Sequence, residues 1–373
     1  MLKLAMVGAN GQVGAELCIL LAARKDIQLI PICRNRSGSA FLRWHGVACR
    51  HGKVADPADT ARLLGDCDVI VNSSLATGTP AQIRRIEDQI IRNIFRHSKD
   101  TATIVHFSTQ SVYGDPRPNR WIRWRNPYGR AKLATERQVR LQSRSTGKPA
   151  FILRLGHVCG AMQEISNAIR ASIRARSVSL SAENLSSNTV YTAAIIGAID
   201  QIIARGTQPD TYDLMNTPRW TWREVYEYEA AVCRLPLAPR LVESFQSSWK
   251  SSLMAPTLHV AESLASAQPI RDLFAKAFAQ VPESMNARAV AWWYAKRARA
   301  EIAALERPSH LPEHLTWIEN GRHFFPAEHA TADLMRAASA LYDAADREDS
   351  WASDCPDAPQ SMSTHLAATA SSG

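Results

Sequence analysis

The chain has 373 residues, of which 46% are hydrophobic and 21% charged, and its formal net charge is +9. This composition is typical of a soluble globular protein, and the length suggests a large domain with a smaller one appended. The seven cysteines include no Cys-x-x-Cys pair, which argues against a disulfide framework or a zinc site, and no apolar stretch is long enough to span a membrane.

Apolar runs that predict buried strands alternate with segments of helical spacing in the first part of the chain. The predicted strands are 2–7, 27–33, 68–74, 102–109 and 150–156, and the predicted helices are 15–24, 58–67, 82–98 and 128–142. Strands that alternate with helices predict an α/β fold, here a Rossmann-type doubly wound parallel sheet. We therefore expect a domain of this fold at 1–160.

Beyond Gly160 the pattern becomes mainly helical, which predicts a smaller C-terminal domain at 161–345. A late strand and helix near 186–232 could return to the first domain. The longest helical segment is 289–306. The final stretch, 350–373, is small, polar and proline-containing, and we predict a disordered tail there.

Three glycines, Gly8, Gly11 and Gly14, follow the first predicted strand in VGANGQVGAEL. A tight turn, close approach of the backbone to a pyrophosphate and close packing of helix on strand each exclude a Cβ. The next helix then offers free N–H groups and a positive dipole end to phosphates. The turn predicts a dinucleotide site, although an ordinary strand-to-helix turn is the alternative. The contacts expected from it are Gly8, Asn10, Gly11, Gln12, Val13 and Gly14.

Tyr128 and Lys132 lie four residues apart in NPYGRAK, and therefore on one face of a predicted helix. An ammonium beside a phenol stabilises the phenolate, which predicts a lowered pKa for Tyr128 and an acid/base role in hydride transfer. Thr109 ends the fourth predicted strand, where doubly wound sheets bind ligands, and its hydroxyl could bond a substrate oxygen. A surface tyrosine beside a lysine is the alternative for the pair.

These motifs together resemble the extended short-chain dehydrogenase/reductases, the NAD-dependent epimerase/dehydratase family. GANGQVG resembles its glycine motif, STQSVYG its Ser-Ser/Thr-x-x-Val-Tyr-Gly segment and PYGRAK its Tyr-x-x-x-Lys, while LRLGHVCG and YDLMNTPRWTWREVYE resemble later motifs. The resemblance covers roughly 1–235, and it implies an NAD(P)-binding domain at 1–160 and a substrate-binding region at 161–345. It implies an NAD(P)-dependent epimerase or oxidoreductase that acts on a carbohydrate, such as a nucleotide sugar. The residues implied are Thr109, Tyr128 and Lys132 for catalysis, and Ser73, Ser74, Leu75, Tyr128 and Lys132 for cofactor binding.

The sequence departs from the family pattern in ways that bear on chemistry. Arg34 and Arg36 follow the second strand, where NAD-preferring members often carry an acid, so we favour NADP over NAD. Gln110 and Ser111 stand where sugar dehydratases carry an Asp-Glu pair, which disfavours a 4,6-dehydratase. Lys53 stands where the family usually has an aspartate near the adenine, and Thr192 replaces another common aspartate.

The remaining expectations concern the substrate and partners. The positive charge favours an anionic substrate, and no Lys/Arg-rich tract indicates a nucleic-acid partner. We expect substrate contacts from Ser111, Arg125 and Asn167, a cytoplasmic location, no membrane partner and no bound metal, and we leave a homodimer open. An NADPH-dependent reductase of a keto-sugar or other small ketone, and a non-catalytic NADP-sensing protein, are the alternative functions.

Overall fold

The computed structural model describes residues 1–76, 80–113, 127–182, 187–216 and 219–242, together with positions 282 and 285. Eleven strands lie in these ranges: β1 (Leu2–Val7), β2 (Ile27–Cys33), β3 (Arg50–His51), β4 (Val69–Asn72), β5 (Thr103–Thr109), β6 (Ala150–Leu155), β7 (His157–Cys159), β8 (Ser179–Ser181), β9 (Thr189–Tyr191), β10 (Thr211–Leu214) and β11 (Arg240–Val242). The helices there are α1 (Gln12–Ala22), α2 (Ala40–Trp44), α3 (Pro57–Leu64), α4 (Pro80–His97), α5 (Pro127–Thr146), α6 (Glu164–Arg174), α7 (Thr192–Ile203) and α8 (Trp222–Cys233).

Seven of these strands form one parallel sheet, in the order β10-β6-β5-β4-β1-β2-β3. The predicted Rossmann-type architecture is therefore confirmed. The chain moves outward from β1 to β3, then returns to place β4 on the other side of β1. This reversal opens a crevice beyond the carboxyl ends of β1 and β4, the usual ligand position in doubly wound sheets.

Two apolar cores cover the two faces of the sheet. On one face, α1 and α7 pack with side chains such as Leu17, Ile195 and Ile199 against β1 and β5. On the other face, α3, α4 and α5 contribute residues that include Leu63 and Phe95. Burial on both faces explains why the strands read as continuous apolar runs rather than as alternating patterns.

Several details differ from the sequence prediction. Helix α1 begins at Gln12 rather than at 15, because Gly11 is already its N-cap. The two-residue strand β3 and the short α2 were not predicted, since elements of that length carry no periodic signal. The tail at 350–373, the helix at 289–306 and Arg125 lie outside the described residues.

The region beyond 160 divides its elements between two places. Strand β10 pairs with β6 at the edge of the main sheet, and α7 packs on that sheet. By contrast, α8 packs against α6 in a separate apolar cluster that includes Ile173, Val225 and Tyr226. Two small parallel pairs, β7 with β9 and β8 with β11, complete this region. The division into domains stays a prediction.

The described ranges contain neither a candidate membrane span nor a candidate metal site. No helix there is both long and apolar enough to cross a membrane. Within the same ranges, no group of three or more His, Cys, Asp or Glu side chains is arranged to hold a metal ion.

Candidate active site

The glycine turn brings three segments closer together than side chains would allow. Gly8 has φ +80°, and a Cβ on it would lie 2.7 Å from the backbone nitrogen of Ser74. A Cβ on Gly14, inside α1, would lie 2.4 Å from the carbonyl oxygen of Gly8 and 2.9 Å from Oγ of Ser73. Glycine is therefore required for β1, α1 and the loop after β4 to meet at one point.

The loop after β4 is fastened to this turn by side-chain hydrogen bonds. The Ser73 hydroxyl donates to the carbonyl oxygen of Val7 over 2.9 Å. The Ser74 hydroxyl and backbone N–H both donate to Oδ1 of Asn72, over 2.7 and 3.1 Å. Leu75, the third predicted cofactor contact here, exposes 53% of its surface. These serines thus hold the wall of the crevice in place, in addition to any contact with a ligand.

The amino end of α1 is suited to an anion. The helix has no acidic residue in its first turn, and its N-cap Gly11 provides no side-chain cap. Its first N–H groups, from Gln12 to Gly14, lie beside the turn and carry the positive end of the helix dipole. Arg34 and Arg36 are exposed directly after the neighbouring strand β2, so both are placed at the same edge of the sheet.

The three predicted catalytic residues come from the adjacent β5 and α5. Thr109 ends β5, and its Oγ1 accepts a 3.2 Å hydrogen bond from the backbone N–H of Ser111. Lys132 is buried, and its Nζ donates to the carbonyl oxygen of Phe107 over 3.2 Å. Tyr128 lies one helical turn before Lys132 and exposes 42% of its surface. The lysine therefore reaches the carboxyl end of the strand that carries Thr109.

The electrostatics of Tyr128 differ from the sequence prediction. Partial burial and the carboxylate of Glu87 raise the pKa of Tyr128, whereas the pairing with Lys132 predicted a lowered one. Burial also lowers the pKa of Lys132, against the opposing charges of Glu87 and Glu136. The prediction of a lowered pKa for Tyr128 is wrong for this arrangement of protein groups, because it considered Lys132 and omitted both the burial of the phenol and the carboxylate of Glu87 on α4.

Glu87 is a buried acid, only 2% exposed, and it had no signal in the sequence. Its Oε1 accepts a 2.5 Å hydrogen bond from the backbone N–H of Ala76, just after the predicted cofactor contacts. Its Oε2 is buried and has no hydrogen-bond partner within the part of the chain that the structure describes. Burial raises the pKa of Glu87, and the charge of Lys132 opposes that effect.

His106 lies on β5 and is fully buried. Its Nδ1 is 3.2 Å from the Asn72 amide nitrogen, and Oδ1 of Asn72 is already bound by Ser74, so the amide donates to Nδ1. The ring proton is therefore assigned to Nε2, which has no partner among the residues described. Burial and the charge of Lys132 hold the pKa of His106 well below its usual value.

A buried ion pair fixes α5 against the sheet. Arg154 on β6 donates from Nε and Nη2 to the two carboxylate oxygens of Glu136, over 2.9 and 2.8 Å. Ser108, which precedes Thr109, donates to the same carboxylate over 2.6 Å. Burial tends to raise the pKa of Glu136, but these hydrogen bonds together outweigh it and lower that pKa. Because Glu136 follows Lys132 by one turn, this pair positions the face of α5 that carries Lys132.

A second buried acid, Glu16, connects α1 to the region beyond 160. Its carboxylate accepts hydrogen bonds from the backbone N–H groups of Ala161 and Met162 and from the Thr192 hydroxyl. Thr192 therefore has a structural role where the family commonly carries an aspartate.

Asn167, a predicted substrate contact, donates to the carbonyl oxygen of Met162 over 3.4 Å. Asp56, three residues after Lys53, caps α3 by accepting hydrogen bonds from the backbone N–H groups of Ala58 and Asp59.

The sequence also matches a known protein family. The model of the NAD-dependent epimerase/dehydratase family matches residues 4–192, just over half of the chain. The chain belongs to the NAD-dependent epimerase/dehydratase family. The match contains the glycine turn, Thr109, Tyr128 and Lys132, so every predicted catalytic residue lies within it.

Solved structures of low sequence identity resemble this family member, and the first of them supports the shared fold. UDP-N-acetylglucosamine 4-epimerase from Bacillus cereus is 17% identical, with a TM-score of 0.50 over 68% of this chain and 90% of that enzyme. RMD from Pseudomonas aeruginosa, solved with NADPH, is 19% identical, with a TM-score of 0.48, and 64% of this chain covers 87% of it. WbmH from Bordetella bronchiseptica, solved with NAD⁺, is 20% identical, with a TM-score of 0.48, and 65% of this chain covers 85% of it. No curated protein sequence matches the chain.

Of the further residues that the structure places near the site of this epimerase/dehydratase family member, the sequence could have indicated only Glu136. Glu136 is four residues after Lys132, and its place on the same helix face could have been noted. Glu87 and Arg154 reach the site from other elements, so only the packing of α4 and β6 identifies them.

Proposed function

We propose that this protein transfers a hydride between NADP(H) or NAD(H) and a carbohydrate, with Tyr128 as the proton donor or acceptor. The observation that carries the proposal is the placement of Lys132. Its buried ammonium donates a hydrogen bond to the carbonyl oxygen of Phe107, which lies two residues before Thr109. Lys132 also lies one helical turn after Tyr128. Thr109 would hydrogen-bond the reacting oxygen, Lys132 would hold the ribose, and Tyr128 would move the proton.

The cofactor proposal rests on the crevice at β1 and β4. A bound nicotinamide would supply or accept the hydride. The close packing at Gly8 and Gly14 leaves backbone N–H groups at the surface, and the uncapped start of α1 favours a pyrophosphate. The fold relatives RMD and WbmH were solved with NADPH and NAD⁺. We favour NADP because Arg34 and Arg36 are exposed after β2, where a 2′-phosphate would lie.

We propose an anionic carbohydrate, such as a nucleotide sugar, as the substrate. Fold relatives include a UDP-N-acetylglucosamine 4-epimerase, and the net charge of +9 favours an anionic ligand. Ser111, Asn167 and Arg125 are proposed to contact it. Gln110 and Ser111 follow Thr109, and neither side chain can act as the acid or base of a dehydration. Epimerisation or redox chemistry is therefore favoured over elimination of water.

A second candidate, an NADPH-dependent reductase of a keto-sugar or small ketone, is favoured by one observation. Burial and Glu87 raise the pKa of Tyr128, so the phenol stays protonated at neutral pH. A protonated phenol is the form that can donate to a ketone oxygen as it receives a hydride. Oxidation of a substrate alcohol would need the phenolate form of Tyr128. The positive charges of Lys132 and of a bound oxidised nicotinamide would have to stabilise that phenolate.

The test compares Tyr128→Phe with Tyr212→Phe, a matched loss of a hydroxyl outside the site. NADPH and NADH binding is measured by fluorescence titration, and turnover is measured with nucleotide sugars and their 4-keto forms. We expect Tyr128→Phe to reduce turnover about 10²- to 10⁴-fold while cofactor binding persists.

Unchanged turnover in Tyr128→Phe would refute the role of the phenol. Binding of NADPH without turnover of any keto-sugar would favour the non-catalytic sensor. If the protein binds neither NADPH nor NADH, both the proposed enzyme and the non-catalytic sensor are refuted.

A further inference from the structure

Two neighbouring helices expose a layer of arginines on the outer surface of the molecule. Helices α4 and α5 contact each other and pack on the same face of the central sheet. Their inner sides contribute apolar residues such as Ile91, Phe95 and Val139 to the core. Their outer sides expose seven arginines, which we call the arginine face: Arg84, Arg85, Arg92, Arg96, Arg130, Arg137 and Arg144.

These arginines follow the helical period and therefore lie on one side of each helix. Arg130, Arg137 and Arg144 on α5 are seven residues apart, which is nearly two turns, so they form a stripe about 21 Å long. On α4 a second stripe runs from Arg85 to Arg96 over about 17 Å. Because both helices belong to one layer over the sheet, the two stripes lie side by side on the same outer surface.

The positive charge of this face has little compensation. Among the residues that the structure describes, no carboxylate forms an ion pair with any arginine of the face. Arg140, which is not part of the face, pairs with Glu136 over 2.8 Å. The two helices contain three acids, of which Glu87 and Glu136 are buried and Asp88 is partly exposed. Seven exposed positive charges therefore face one partly exposed negative charge.

The composition of the face favours phosphate groups over a protein partner. Guanidinium groups bind phosphate oxygens through two parallel hydrogen bonds. A stable protein interface needs an apolar centre, commonly with aromatic anchors. Between Arg137 and Arg144 the face exposes one leucine, Leu141, which is 58% exposed. A second copy of the chain is disfavoured as well, because pairing this face with itself would bring like charges together.

We propose that the arginine face docks the protein on a membrane leaflet rich in anionic phospholipids. A leaflet is flat, and the layer of α4 and α5 spreads its charges over a broad surface, so all seven guanidinium groups reach headgroup phosphates together. By contrast, a nucleic-acid duplex is a cylinder, which would meet such a layer along a narrow strip. In this orientation the axes of α4 and α5 lie parallel to the bilayer, and Leu141 enters the headgroup region.

This orientation leaves the crevice at the edge of the docked surface. Helices α4 and α5 directly follow β4 and β5, so both begin at the carboxyl ends of the strands and run away from the crevice. Docking on their outer sides therefore keeps the mouth of the crevice open to a small soluble ligand. The sequence shows no basic tract because β5 and the loop after it separate the two stripes along the chain.

The test measures co-sedimentation of the full-length protein with vesicles at 0.1 M salt. Wild type should bind vesicles of 30% phosphatidylglycerol in phosphatidylcholine, should not bind pure phosphatidylcholine, and should be released at 0.5 M salt. Each arginine near an anionic surface contributes about fivefold to binding. The triple variant Arg92→Gln, Arg137→Gln and Arg144→Gln should therefore bind about 100-fold more weakly.

The matched control removes the same charge elsewhere. Arg174, Arg176 and Arg205 are exposed at the ends of α6 and α7, and α7 packs on the opposite face of the sheet. Changing all three to Gln should leave vesicle binding close to that of wild type. Circular dichroism should show that both triple variants are folded, since none of the six side chains is buried.

Four results would overturn the proposal. Wild type could fail to bind the anionic vesicles, a result that needs no variant, or it could bind neutral vesicles equally well. Both triple variants could weaken binding equally, which would show an effect of net charge rather than of this face. A 20-base-pair DNA duplex could displace the protein from vesicles at equal phosphate concentration, which would identify a nucleic-acid surface. Light scattering could show a dimer that the first triple variant dissociates, which would identify a second copy as the occupant.

Discussion

Adding one methyl group to Gly8 should separate the cost of its backbone conformation from the cost of the close approach it permits. Gly8 has φ +80°, and an added Cβ would lie 2.7 and 2.8 Å from the backbone N and Cα of Ser74. Gly147 has φ +70°, and an added Cβ there would meet nothing within 4 Å. The two substitutions thus share the strained conformation and differ in the steric conflict.

The expected magnitudes follow from these contacts. Gly147→Ala should cost only the left-handed strain, about 1–2 kcal/mol of the free energy of unfolding. Gly8→Ala adds the displacement of the loop after β4, for a total of about 2–5 kcal/mol. Gly14→Ala has no such backbone strain, but its Cβ would lie 2.4 Å from the carbonyl oxygen of Gly8, so it tests the steric term alone.

Urea unfolding followed by tryptophan fluorescence measures the stabilities, and fluorescence titration measures NADPH binding. Gly8→Ala and Gly14→Ala should both lose affinity for NADPH, because the shifted loop and helix no longer frame the phosphate site. Gly147→Ala should keep wild-type affinity. If Gly8→Ala is no less stable than Gly147→Ala and binds NADPH equally well, the close approach does not build the site.

Three further substitutions test the charges around the site. Glu87→Gln should move the limb of the pH–activity profile that reports Tyr128 to lower pH, because the carboxylate that raises the pKa of Tyr128 is lost; an unmoved limb contradicts the coupling. Glu136→Gln should cost about 3 kcal/mol at neutral pH by leaving Arg154 buried without its partner. The pKa of Glu136 is lowered in the folded state. Its contribution to the free energy of unfolding is therefore fully present above the unfolded pKa of about 4.3 and is lost as the pH falls through the folded pKa. The free energies of unfolding of variant and wild type, measured in urea, should converge in acid. Arg34→Ala should weaken NADPH binding roughly tenfold and leave NADH binding unchanged, and equal effects on both cofactors would contradict contact with a 2′-phosphate.

Much of the first half of the fold follows from local pattern. Continuous apolar runs at Leu2–Val7 and Thr103–Thr109 specify strands that are buried on both faces, and their alternation with helices specifies a parallel sheet. Elements such as β3, with only two residues, have no period to detect and form because β2 offers an edge to pair with. The late strand β10 was predicted as a strand, but its partner β6 is set by the fold.

By itself the sequence determined the main strands and helices up to residue 160, the glycine turn and the spacing of Tyr128 and Lys132, because each depends on residues close together along the chain. Only the tertiary structure decided the electrostatic environment of these groups. Glu87 comes from α4 and Arg154 from β6, and their effects on Tyr128 and Glu136 depend on burial and distance across packed elements. A pKa reflects every nearby charge and the loss of water, whichever segment supplies them, and for this reason the direction for Tyr128 was wrong from sequence.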